Sequence, residues 1–115
     1  MEQKKLFSDL DFYPKGATYS VPPAGAEQTL KIEKVHGKIP VVRAIFADNL
    51  STVRITIKKD GADTYVDNVA LSVFRSDRPI PIRLPEGDYK VQLSRTDSGT
   101  DTVIANVAYL VELTK

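Results

Sequence analysis

The sequence predicts an all-β fold: a two-sheet antiparallel β-sandwich of seven or eight strands behind an extended N-terminal arm. Three observations predict it. From Ile80 to Leu113 apolar residues occupy alternate positions, interrupted only by two tight turns. A period of two sets one face of each strand against a dry core. Turn-forming Gly, Pro, Asn and Asp punctuate the remainder about every 8–12 residues, the rhythm of a sandwich. No segment shows the apolar repeat of an amphipathic helix.

Residues 1–27 are expected to form the arm. Pro14, Gly16, Pro22, Pro23 and Gly25 break any sustained period there. Proline removes an amide donor, which rules the segment out as a central strand. Yet Phe7, Phe12, Tyr13 and Tyr19 lie in it, and disordered tails are poor in aromatics. The arm is therefore expected to dock, on its own domain or on a neighbour.

The sandwich is expected over 28–115 as a single domain. Gln28–Val35 alternates Leu30 and Ile32 with Lys31 and Glu33 and ends at His36-Gly37. Pro40–Ala47 is apolar on both faces, with Val41 and Ile45 on one side, Val42, Ala44 and Phe46 on the other, and Arg43 interrupting. That pattern suits a strand covered twice. Asp48-Asn49 reads as a turn, and Thr52–Lys59 alternates cleanly with Val53, Ile55 and Ile57 inward. Asp60-Gly61 is a hairpin signal. Short strands are expected near Thr64–Val66 and over Val69–Phe74, then a loop at Arg75–Pro79. The strands bearing Ile80, Ile82 and Leu84, then Tyr89, Val91 and Leu93, then Val103 to Leu113 complete the set. Jelly-roll and immunoglobulin-like topologies both satisfy this rhythm.

Composition narrows function by exclusion. The 115 residues suit one core without staples, and the absence of cysteine excludes disulfides, zinc–thiolate sites and thiol nucleophiles. Sixteen basic against fifteen acidic residues, mixed along the chain, build no basic field for nucleic acid. No apolar run reaches the roughly 20 residues of a membrane span, and the start MEQKKLFSDLDFYPKG lacks the apolar stretch of a signal peptide. A cytoplasmic or, for an assembly component, a virion location follows as the expectation.

Groups for catalysis are scarce. His36 is the only histidine and precedes a turn glycine, so neither a histidine-based triad nor a multi-histidine metal site is expected. Asp60, Asp63 and Asp67, and likewise Asp97 and Asp101, could contribute oxygens to calcium, but aspartate also builds turns through its own backbone. The row Arg54, Lys58 and Lys59, with Arg83 or Lys90, reads as an ordinary solvated face. No cofactor, metal or catalytic residue is expected.

Two interaction signals remain: the aromatic arm, and the even face of the last strand. There Ile104, Ala108 and Leu110 accompany Asn106 and Glu112, too apolar a set for free solvent. The expected interface residues are thus Phe7, Phe12, Tyr13, Tyr19, Ile104, Ala108 and Leu110, with protein subunits as partners.

Leu84-Pro85-Glu86-Gly87-Asp88-Tyr89 resembles the Leu-Pro-x-Gly-x-Tyr turn of immunoglobulin-like and transthyretin-like modules, which implies a sandwich and no activity. In size, arm and strand rhythm the chain resembles the small jelly-roll or immunoglobulin-like accessory proteins of bacteriophage particles. That resemblance implies a non-enzymatic structural protein, a capsid- or tail-associated component held by subunit contacts, either homo-oligomeric or particle-bound. The alternative is a carbohydrate- or protein-binding module using the loops Asp60–Asn68, Arg75–Pro79 and Thr96–Asp101.

Overall fold

The computed structural model describes residues 12–59, 63–75, 77 and 80–114. Eight strands follow in order: β1 (Phe12–Val21), β2 (Ala26–Ile32), β3 (Ile39–Ala47), β4 (Val53–Lys59), β5 (Thr64–Ala70), β6 (Ile80–Pro85), β7 (Gly87–Arg95) and β8 (Val103–Thr114). They form two four-stranded antiparallel sheets, β1-β8-β3-β6 and β2-β7-β4-β5. The expected β-sandwich is the observed architecture.

The pairing decides the topology. β1 pairs with β8, β2 with β7, β3 with β6 and β4 with β5. The chain is therefore one long hairpin with its tip between β4 and β5. Rolling that hairpin brings β8 against β3 and β7 against β4. This is a jelly roll. In an immunoglobulin-like domain the last two strands would be sheet neighbours; here β7 and β8 lie in opposite sheets.

Alternation builds the core as the sequence implies. Val53, Ile55 and Ile57 meet Tyr89, Val91, Leu84, Tyr109 and Val111 in one cluster, all fully buried. Gly87 starts β7 with φ 150°, a conformation that side-chain-bearing residues rarely adopt, and this is what the turn needs glycine for. The Tyr89 hydroxyl then donates to the carbonyl of Pro85 at 2.5 Å. The Gly and Tyr of the turn motif thus have separate jobs, one conformational and one a buried polar satisfaction.

Two local readings are corrected. In β3 the pairing shifts between Val42 and Ala44, a β-bulge at Arg43 that inserts one residue and reverses the parity. Val42, Ile45 and Ala47 consequently share the core, while Val41 and Ala44, both buried, belong to the outer face with Phe46. The expected strand Val69–Phe74 is instead the end of β5 followed by a 3₁₀ turn, Leu71–Phe74. Leu71 and Phe74 are its buried residues, at the three-residue spacing of that helix.

The described part of the segment read as an arm, from Phe12 on, is largely sheet. β1 runs for ten residues in unbroken register with β8, from Phe12 opposite Glu112 to Val21 opposite Val103. It is an edge strand, which is where Pro14 is tolerated. Its odd residues face inward, and Tyr19 and Val21 are core. Tyr19, expected at an interface, is 2% exposed and its hydroxyl lies 2.9 Å from that of Tyr109. β2 already begins at Ala26.

Candidate functional site

The outer faces of the two sheets differ in chemistry. On the β2-β7-β4-β5 sheet the outward residues are Glu27, Thr29 and Lys31, then Lys90 and Gln92, then Arg54, Thr56 and Lys58. The charges named are mostly basic: Glu27 lies 4.0 Å from Lys90, and Lys58 sits opposite Lys90. Of the expected basic row, Arg54, Lys58 and Lys90 share this face, whereas Arg83 lies on β6 in the other sheet.

The other sheet turns an apolar face outward. Register places Pro14, Leu110, Ala44 and Pro81 in one row across all four strands. A second row holds Phe12, Glu112, Val41 and Pro85. Of the four large hydrophobic residues most exposed among those described, three lie on this face: Phe12 (45%), Ile39 (41%) and Ile104 (51%). Arg43, released from the core by the bulge, pairs with Glu112 at 2.5 Å, neutralising the carboxylate within the apolar rows.

Toward the other end of the strands the same face hollows into an open depression of about 520 Å³. Its floor is the row Gly16, Ala108 and Phe46, two small residues beside an aromatic ring. Its polar margin is the next row. Thr18 Oγ1 donates to Asn106 Oδ1 at 3.0 Å, and Asn106 donates through its backbone N and its Nδ2 to Asp48 Oδ2, each at 3.0 Å. Asp48 N returns a bond to the Asn106 carbonyl at 3.1 Å, which carries the β3–β8 ladder one step past the strand. A parallel bridge between Ala47 and Arg75 brings Arg75 to the rim, where its Nε lies 3.1 Å from Asp77 Oδ1. The depression therefore joins an apolar floor to a pinned carboxylate and a guanidinium.

The remaining candidates have structural roles. His36 (φ 51°) and Gly37 (φ 77°) are the central residues of a two-residue turn closed by Val35 and Lys38; both positive φ values mark the hairpin type that favours glycine. Asp63 and Asp67 are exposed, and Asp60 lies outside the described residues. In the last loop Asp97 receives Arg95 Nε at 2.9 Å and Nη2 at 3.1 Å, while Arg95 Nη1 donates to the carbonyls of Val21 and Asp101. The bond from Arg95 is the main cause of an Asp97 carboxyl held below its ordinary range. A guanidinium thus already serves this loop as its cation. Among the described residues no group of three or more His, Asp or Glu could hold a metal, and no helix is long and apolar enough to cross a membrane.

Of the expected interface residues, Phe12, Ile104, Ala108 and Leu110 share the apolar outer face, Tyr13 packs inward against the core, and Phe7 lies outside the described residues. Ala108 forms part of the depression's floor. Gly16, Phe46, Asp48 and Asn106 escaped sequence reasoning as a set, because they come from three strands and meet only through the roll. The one available signal was Gly16, which in sequence reads only as a break in the period of residues 1–27.

No family model matches the chain, and no curated protein matches it. Among solved structures, an exo-β-1,3-galactanase from Phanerochaete chrysosporium, crystallised with galactose, is similar at 15% identity. The match covers 89% of this chain and 27% of that one, with a TM-score of 0.34. A likeness at that level carries no argument about fold or function.

Proposed function

We propose that the protein is a non-enzymatic assembly subunit, an accessory component of a particle such as a virion, and that copies of the chain meet through the outer face of the β1-β8-β3-β6 sheet. The observation that carries this reading is the difference between the two outer faces, one charged and mostly basic and one of apolar rows with exposed Phe12 and Ile39. Exposed large apolar side chains grouped on one face mark contact sites. The virion setting rests on analogy at the level of fold, since jelly rolls recur in capsid proteins as well as in lectins.

The edges of that sheet argue for contact by face rather than by strand addition. β1 carries Pro14, and β6 carries Pro81 and Pro85. Each removes a donor that an added strand would need.

Phe12 and Ile39 are each about half exposed, so covering each gains about 1 kcal/mol. Phe12→Glu with Ile39→Lys is expected to weaken self-association about 30-fold or more while leaving the circular dichroism spectrum unchanged. Sedimentation velocity across a concentration series measures it. A wild type that stays monomeric throughout, or a double variant that associates as well as the wild type, would overturn the reading.

A further inference from the structure

The geometry points to a second use of the same sheet: the depression over Gly16, Ala108 and Phe46 is a binding site for a neutral pyranose sugar. It does not depend on subunit assembly. Gly16 is the first observation. It lies within a ten-residue strand, where glycine weakens the strand. It is not among the residues of positive φ, and a Cβ added to it would meet nothing within 4 Å. Neither the backbone nor the packing of this chain demands glycine there. Such glycines mark places where a ligand or another backbone approaches closely.

The lining selects the ligand. Gly16 and Ala108 leave a flat floor beside the half-buried ring of Phe46, and an apolar sugar face lies well on such a surface. Asp48 Oδ2 is held by two donors from Asn106, which aims the carboxylate and leaves Oδ1 without a bond from the described residues. A fixed carboxylate oxygen accepts strongly from a hydroxyl group. Thr18 spends its proton on Asn106 and keeps lone pairs to accept with. Arg75 meets Asp77 at the exposed rim through Nε at 3.1 Å, and as a guanidinium it has further N–H groups with which to donate to a ligand.

Other ligand classes fit worse. An anion would meet the Asp48 carboxylate, and the one cation at the rim, Arg75, already faces the Asp77 carboxylate. A purely apolar molecule would strip water from the Thr18–Asn106–Asp48 row with no return. A neutral ring with an apolar face and alternating hydroxyl donors and acceptors satisfies both halves. The volume, 520 Å³, lies within the range of small-ligand sites.

The test is a ¹⁵N–¹H chemical-shift titration of the full chain with glucose, mannose, galactose and N-acetylglucosamine, each alone and as β-linked oligosaccharides. The expected result is saturable shifts at the amides of Gly16, Thr18, Phe46 and Ala108 with at least one of them. Gly16→Leu should weaken that binding at least tenfold without lowering the melting temperature, since a Cβ there meets nothing within 4 Å and glycine is the weaker residue in a strand. Asp48→Asn should also weaken binding, by removing the charge while preserving the shape. Repeating the titration on the Phe12→Glu/Ile39→Lys variant separates this site from assembly, because sugar binding should survive there. The inference is overturned if no sugar gives saturable shifts, if the shifts fall elsewhere, or if Gly16→Leu binds as the wild type does.

Discussion

Tyr19 and Tyr109 form a buried hydroxyl–hydroxyl bond within a mostly apolar core. Burial raises the pKa of both phenols, most of all that of Tyr109, above their ordinary 10.0. Burial also pushes Tyr89, at the opposite sheet, up to about 12. The folded state thus keeps protons that the unfolded chain releases. These groups contribute stability that is complete below pH 10 and is lost as pH rises through the folded values. Urea unfolding between pH 8 and 12 should show stability falling from about pH 10. The fall should be shallower in the Tyr19→Phe/Tyr109→Phe double variant. The single variant Tyr109→Phe should lose about 1–3 kcal/mol at neutral pH, because it strips a buried hydroxyl of its partner. That Tyr19 is a core group was not legible from its neighbours: prolines and glycines around it hide the alternation that Tyr13, Ala17, Tyr19 and Val21 in fact follow.

Among the elements, β1 departs furthest from its sequence reading. Proline-broken sequence looks like an arm because the rules for strands describe central strands. An edge strand uses one row of its backbone groups, so Pro14 costs it little. Its inward residues nonetheless complete the core. Deleting 1–21 removes Tyr19 and Val21, each worth about 1.5–3 kcal/mol of burial, along with the inward faces of Tyr13 and Ala17. That loss is comparable with the whole stability of a small domain. The truncated chain is expected to show no cooperative thermal transition by circular dichroism. A cooperative transition in it would show β1 to be a dispensable clasp. The bulge in β3 and the 3₁₀ turn at Leu71–Phe74 were hidden for a related reason: each changes the period within a few residues, and a short apolar run fits either period.

For the whole molecule, the roll sets the distances along the chain that folding must close. β1 meets β8 with partners as far apart as Phe12 and Glu112. Only the β4–β5 pair joins strands consecutive along the chain. Such non-local pairing folds in milliseconds to seconds rather than microseconds. Stopped-flow refolding should therefore fall in that slower range, and a sub-millisecond rate would show that the long-range pairs are not limiting. The same roll places the bulge of β3, Gly16 of β1 and Asn106 of β8 on one surface, so the apolar face and the sugar groove are properties of the closed sandwich.

Alternation along β4, β6, β7 and β8 was enough to determine the sandwich, its inward residues and the turn at Gly87, because side-chain direction in a strand is set locally by the pleat. It also exposed the apolar even face of β8. What lies beside that face is another matter. Register between strands is written in partners distant along the chain, and each strand here would accept several neighbours by pattern alone. Closure of the long hairpin chose β1 and β3 as neighbours of β8, made this a jelly roll, and gathered Gly16, Phe46, Asp48 and Asn106 around one hollow. The local pleat determines which way each residue points, and only the tertiary roll decides what it meets.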